Sequence, residues 1–202
     1  QGRSGALGGP ADKRLFAVLR ALADVILVGA GTVRAEGYGP ARLDERAQDH
    51  RSRWGLASVP AIAVVTRACR LDWDAPFFTA ATHRPIVVTH RRAPAAEAVR
   101  ASRVADVLVA GESQVDLARA VTMLGERGFA HVLAEGGPSL NGALAGAGVL
   151  DELCLTVAPR LVAGDAKRIL TGPPLTPPPE LTLRSLCEED GYLFLRYRFP
   201  AR

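Results

Sequence analysis

Cysteine is scarce in this chain. Cys69, Cys154 and Cys187 are odd in number and show no Cys-x-x-Cys spacing. That excludes a disulfide framework and a redox pair, and it points to a reducing, cytoplasmic setting. The histidines His50, His83, His90 and His131 are not spaced as ligands of a metal ion, so no metal is expected. No stretch approaches the ~18 apolar residues that a membrane span needs, and residues 1–14, glycine-rich and polar, do not read as a signal peptide. Aromatic residues make up only 5% of the chain, which leaves little for a base-stacking surface. The 25 basic residues are scattered among 21 acidic ones for a net charge of +4, a balance that disfavours a nucleic-acid surface and suits an anionic small molecule.

What is there is a chain of 202 residues, 48% hydrophobic and 23% charged, long enough to bury a sizeable core in one domain. Leu15, Phe16, Leu19 and Leu22 recur at three- and four-residue spacing and predict a helix over 11–23, followed by a strand over 25–28. A helix beginning near Thr32 fades into the charged, irregular stretch 36–58. Strands at 61–66, 85–89, 104–109 and 130–134 then alternate with helices at 95–101, 114–127 and 139–147, an α/β pattern. After Leu150 the character changes. Residues 152–158 and 191–199 read as strands with no helix between them, and the proline-rich 172–179 reads as a stiff connection. A mixed, mostly parallel sheet with a late antiparallel portion follows; no internal repeat or second domain boundary is seen.

Two glycine turns carry the chemistry. The run Val132-Leu133-Ala134 enters Glu135-Gly136-Gly137-Pro138-Ser139-Leu140, a strand, a tight turn and a helix start in succession. Paired glycines let the backbone approach a ligand, and the free N–H groups of a first helical turn attract an anion such as phosphate. Gly-Gly-Pro-Ser is equally a sound structural turn with proline in the first turn of a helix. A second unit of the same kind, Val25-Ile26-Leu27-Val28-Gly29-Ala30-Gly31-Thr32-Val33-Arg34, shifts the balance toward two grips on one multiply charged ligand such as a dinucleotide. The third glycine of a Rossmann fingerprint is absent, as is any P-loop, so a nucleotide site of another architecture is implied. No Ser/His/Asp or Cys/His set is suggested, which disfavours nucleophilic catalysis.

These blocks, with Ala23-Asp24 before the first and Leu150-Asp151-Glu152-Leu153-Cys154-Leu155-Thr156-Val157-Ala158-Pro159 after the second, resemble the reductase domain of the riboflavin-pathway deaminase/reductase enzymes. They keep the family's order and spacing over nearly the whole chain. The similarity is closest to actinobacterial stand-alone reductase-like proteins, some of which have been linked to dihydrofolate reduction. The resemblance implies a dihydrofolate reductase-like three-layer α/β fold and NADPH as cofactor. It implies hydride transfer to 5-amino-6-(5-phosphoribosylamino)uracil or a related pyrimidine, in riboflavin biosynthesis. Dihydrofolate reduction and a non-catalytic NADPH-binding paralogue are the alternatives.

Carried residue by residue, the family pattern gives Gly29, Ala30, Gly31 and Thr32 to the cofactor phosphates and Glu135, Gly136, Gly137, Pro138, Ser139 and Leu140 to the pyrophosphate turn. Glu135 alternatively contacts substrate. Thr66 and Arg67 match the position that reads the adenosine 2′-phosphate, for which arginine's planar fork is suited; Arg34 is a weaker candidate. Asp12 matches an aspartate that faces the substrate heterocycle, although a helix-start acid stabilised by the dipole is the plainer reading. Lys167 and Arg168 are candidates for a substrate phosphate, or simply a solvated pair. Family members are usually homodimers, and the alternating 192–199 strand is a candidate interface. They usually open with a strand ending in Ser-Leu-Asp-Gly, whereas this chain opens at Gln1-Gly2-Arg3-Ser4-Gly5, so the family's first strand is expected upstream of residue 1.

Overall fold

The computed structural model describes residues 7–165 and 168–201; Lys167 lies outside them. Helix α1 spans Pro10–Leu22 and leads into strand β1 at Val25–Gly29. There follow α2 (Ala30–Glu36), α3 (Glu45–Arg53), β2 (Ala61–Val65), the short α4 (Pro76–Thr79), β3 (Ile86–Thr89), α5 (Ala95–Val104), β4 (Asp106–Val109), α6 (Leu117–Gly125), β5 (Val132–Ala134) and α7 (Pro138–Gly146). Strands β6 (Glu152–Val157), β7 (Thr182–Glu189) and β8 (Tyr192–Arg198) complete the order.

The first five strands form a parallel sheet ordered β4-β3-β2-β1-β5. Its strands are short and apolar on both faces, as a sheet covered by helices on both sides requires. Side chains alternate between two cores. Ile26, Val28, Ile62, Val64 and Val87 point to one side with Ala30 and Val33 of α2, Ala101 of α5 and the cluster Trp73, Phe77 and Phe78. Val25, Leu27, Ala63, Ile86, Val88 and Leu108 point to the other, beneath Leu117, Ala120 and Leu124 of α6 and Leu140 and Leu144 of α7. Helix, sheet and helix make the three layers.

The late antiparallel portion is a sheet of its own, ordered β6-β8-β7. The division falls between β5 and β6. Among the described residues β5 pairs only with β1, and β6 only with β8. Three elements escape the sequence reading; one is the short α4, a single turn in a stretch read as loop. Helix α3 lies inside the stretch taken as irregular; its start is capped by Asp44, whose Oδ1 accepts from Ala47 N at 2.8 Å. Its one buried side chain is Arg51, which donates to the carbonyls of Ala57 (2.6 Å), Ala21 (2.9 Å) and Ala23 (2.6 Å) and so staples α3 beneath the end of α1. Strand β7 follows the proline-rich connection and is exposed along its whole length.

Candidate active site

Chain order fixes where a ligand can sit. From β1 the chain runs outward through β2, β3 and β4, then returns to place β5 on the other side of β1. The helix after β1 packs on one face of the sheet and the helix after β5 on the other. The carboxyl ends of β1 and β5 therefore open into a crevice, the topological switch point at which open α/β sheets bind ligands. Both glycine turns lie there.

They are bonded to each other: Gly29 N donates to Gly136 O at 2.7 Å, and Glu135 N to Leu27 O at 2.9 Å. Gly136 has φ +77°, a backbone state that favours glycine. A Cβ on Gly137 would stand 2.9 Å from Thr32 Oγ1, so the second turn lies directly against the helix that leaves the first. At Gly31, by contrast, an added Cβ meets nothing within 4 Å. That open cradle beside two tight turns fits the phosphates of a dinucleotide. Pro138 occupies the first turn of α7, Leu140 is buried in the core beneath it, and Ser139 Oγ lies 3.2 Å from Thr171 Oγ1. Residues 169–171 are tied along α7 by Asn141 Nδ2 donating to Ile169 O (3.2 Å) and Thr171 N donating to Pro138 O (3.0 Å), and this brings the neighbouring Arg168 to the same helix.

Sequence reasoning missed the partners of Glu135. Its side chain is 4% exposed and is held bidentately by Arg20 of α1, with Nε and Nη2 each donating at 2.7 Å. Arg20 also donates to Tyr38 OH at 2.8 Å, and Tyr38 OH donates to Glu135. The guanidinium lies over the ring of Phe16, 4.6 Å from its centroid. Burial alone would lower the Arg20 pKa, but the hydrogen bonds and charge of Glu135 outweigh it and hold the group above its ordinary value. Burial, with the charge of Glu135 next, drives the Tyr38 phenol far above its ordinary value. The result is a carboxyl group gripped by a guanidinium and a neutral phenol, fixed beside the glycine turns. A single arginine in the last turn of a helix and a tyrosine after a helix end give no sequence signal for this.

At the end of β2, Thr66 is buried and its Oγ1 accepts from Cys69 N at 3.1 Å, which turns the chain back into the core. Arg67 is exposed at the same edge, without an ion pair among the described residues. Arg34 donates to Arg70 O at 2.9 Å, so that donor is engaged in holding this loop. Asp12 stands apart from these groups. It lies in the first turn of α1, its carboxylate 2.6 Å from where a Cβ on Gly8 would be, and eight residues of helix place it roughly 12 Å along the axis from Arg20. Among the described residues no helix is long and apolar enough to cross a membrane, and no cluster of three or more His, Cys, Asp or Glu is placed to hold a metal.

The family model for the RibD C-terminal domain matches residues 1–192. This chain belongs to the RibD C-terminal domain family. Among its relatives, the 2,5-diamino-6-ribosylamino-4(3H)-pyrimidinone 5′-phosphate reductase of Methanothermobacter thermautotrophicus is 30% identical over 172 residues, covering 84% of this chain and 75% of that protein. The reductase of the same name from Archaeoglobus fulgidus is 29% identical over 153 residues, 76% of this chain and 69% of that one. Among solved structures, a pyrimidine reductase-like protein from Corynebacterium diphtheriae superposes with a TM-score of 0.88 at 27% identity, over 100% of this chain and 86% of that one. The named relatives are riboflavin-pathway reductases, a family whose chemistry implies a nicotinamide cofactor.

Proposed function

We propose that this chain is an NADPH-dependent reductase of riboflavin biosynthesis, acting on a ribosylaminopyrimidine 5′-phosphate. The observation that carries the reading is the Gly29 N to Gly136 O bond at 2.7 Å, which joins two glycine turns across the switch point of a RibD-type sheet. Gly29, Ala30, Gly31 and Thr32 on one side, and Gly136, Gly137, Pro138, Ser139 and Leu140 on the other, would hold the cofactor phosphates. Thr66 and Arg67 would face the adenosine end. When bound, the reduced nicotinamide supplies the hydride, and the chain's own part is position and electrostatics. Glu135, clamped by Arg20 and Tyr38, fixes the turn that follows β5 against α1 at the substrate end of the crevice. Asp12 remains a proposed contact to the substrate heterocycle, and a variant Asp12→Asn that raises KM without changing cofactor affinity would support it.

We also propose a homodimer formed through the β6-β8-β7 sheet. Register places Leu153, Leu155 and Val157 of β6, Leu193, Leu195 and Tyr197 of β8, and Leu183 and Leu186 of β7 across from one another. Alternation puts all eight on one face, and Leu186 (54% exposed), Leu183 (48%) and Val157 (45%) are open to solvent. An apolar sheet face of this kind marks an association surface, and the family resemblance makes a second copy of the chain the occupant.

Among the described residues β5 and β6 each have an unpaired edge, and we propose that the strand expected from the family pattern before residue 1 would fill the gap and join the two sheets into one mixed sheet. A chain extended by that segment is expected to unfold at higher urea than residues 1–202, and equal midpoints would refute the pairing.

The test of the reductase reading is consumption of NADPH by the purified protein, with the ribosylaminopyrimidine phosphate and dihydrofolate offered in parallel. Turnover of the first is expected. Turnover of dihydrofolate alone would replace the substrate, and cofactor binding without any turnover would make the chain a non-catalytic paralogue.

A further inference from the structure

The carboxyl edge of the parallel sheet holds one histidine. His50 sits on α3, stacked on Trp54; His83 precedes β3; and His131 precedes β5, with Nδ1 3.5 Å from Asp24 Oδ2. His83 and His131 lie at the amino ends of β3 and β5, and His50 lies on a helix rather than at a strand end. His90 alone follows the last residue of a strand, β3.

Its place is fixed by the ladders on both sides. Val65 of β2 pairs with Val88 of β3, and the pairing continues as Thr66 N donates to Val88 O at 2.9 Å. Arg67 follows Thr66 out of β2 and His90 follows Thr89 out of β3, so the two leave neighbouring strands at the same edge of the sheet. On the other side Thr89 pairs with Val109, and Ala110 N donates to Thr89 O at 2.8 Å, so His90 stands across from the buried Ala110. Alternation decides the face. Ile86 and Val88 belong to the core under α6 and α7, Val87 to the opposite one, and His90 follows on the side of α7. That is the side on which α7 begins at the Gly136-Gly137 turn.

The side chain is unusual for its position. His90 is 8% exposed, and its Nδ1 is sealed from solvent with no hydrogen-bond partner. Nε2 is not among the sealed, unpartnered atoms and forms no hydrogen bond among the described residues. A histidine that served only packing would be better replaced by an apolar residue, because an unpaired buried nitrogen costs stability. Arg91 and Arg92, which follow it, are drawn toward Glu112 at 3.1 and 3.9 Å, whereas Arg67, at the end of the adjacent strand, has no ion pair among the described residues.

We infer that His90 is a specificity-determining residue of the cofactor site, its Nε2 joining Arg67 in recognising the phosphate on the adenosine ribose. The inference rests on the proposed reductase reading and deepens it at one end of the crevice. A second donor next to an arginine distinguishes a phosphorylated ribose from a free one, since a charge-assisted bond is lost when the phosphate is absent. The phosphate is the ligand; the rest of the cofactor is not needed to test this.

The experiment uses 2′,5′-ADP and 5′-ADP as probes, with the imidazole resonances of the wild-type chain followed by NMR. Saturation with 2′,5′-ADP is expected to move the His90 signals and leave those of His50, His83 and His131 in place, whereas 5′-ADP leaves all four in place. Calorimetry on His90→Asn is expected to show about tenfold weaker 2′,5′-ADP binding with 5′-ADP binding unchanged. Binding of 2′,5′-ADP with His90 unmoved, or an equal loss for both nucleotides in the variant, overturns this inference alone. Failure of the wild-type chain to bind either nucleotide or NADPH overturns the cofactor reading and this inference with it.

Discussion

Arg20 and Glu135, 115 residues apart in sequence, meet in a bidentate ion pair with both bonds at 2.7 Å, and this contact clamps the end of α1 onto the turn that follows β5. The carboxylate is 4% exposed and the guanidinium 23%. Removing one partner leaves a buried charge unsatisfied. Arg20→Met is therefore expected to lower stability by about 3–5 kcal/mol, the range for breaking a buried pair. The double variant Arg20→Met with Glu135→Gln should recover part of that loss. Urea denaturation in a double-mutant cycle reads both values, and additive losses would show that the pair is not coupled.

Tyr38 gives a pH signature. Its phenol lies far above the ordinary value of 10.0 in the folded chain, through burial first and the Glu135 charge second. The unfolded chain then releases this proton before the folded one does. Stability from this group is complete below about pH 10 and declines as pH rises beyond it, by up to about 1.4 kcal/mol per pH unit. Denaturation midpoints of wild type and Tyr38→Phe, compared from pH 8 upward, are expected to run parallel at first and converge above about pH 10. Parallel curves throughout would contradict the assignment.

Gly31 separates binding from folding. An added Cβ there meets nothing within 4 Å, so Gly31→Ala should fold as well as wild type, or slightly better by about 0.5–1 kcal/mol through helix propensity. If the space is where a cofactor phosphate approaches, affinity for NADPH should fall about tenfold, or 1.4 kcal/mol. Unchanged affinity by calorimetry would remove Gly31 from the site. Gly137→Ala, whose Cβ would stand 2.9 Å from Thr32 Oγ1, should instead lose both stability and affinity.

Leu186, 54% exposed on the apolar face of β7, tests the dimer. Light scattering of the wild-type chain should give twice the 21.4 kDa chain mass, and Leu186→Glu should give the single mass with secondary structure unchanged. A dimer that survives the substitution would place the interface elsewhere.

Much of the parallel sheet is legible in the sequence because its signals are local. Val25 to Val28 and Ile86 to Val88 are continuous apolar runs closed by turns or polar residues, the pattern of strands covered on both faces. The turns at Gly29 and Gly136 are legible for the same reason, and the cofactor phosphates proposed to lie against them come from the resemblance. Helix α3 is not legible, because the side chain it buries is Arg51, and a charged side chain that satisfies three carbonyls leaves no apolar periodicity. Strand β7 is hidden because it buries nothing within one copy of the chain. The Arg20–Tyr38–Glu135 network is a tertiary coincidence of three distant segments. The separation of β5 from β6 depends on which edges find partners, and no single segment records that.

The central claim is that a hydride passes from the nicotinamide to a ribosylaminopyrimidine phosphate in the crevice between β1 and β5. The measurement that tests it most directly is turnover with NADPH carrying deuterium at the transferring position of the nicotinamide, followed by mass spectrometry and NMR of the product. The account predicts a ribitylamino product with one deuterium at the former ribose C1, formed more slowly by Gly31→Ala at a cofactor concentration that only just saturates wild type. An unlabelled product, or an unchanged substrate recovered from a chain that binds NADPH, would contradict it.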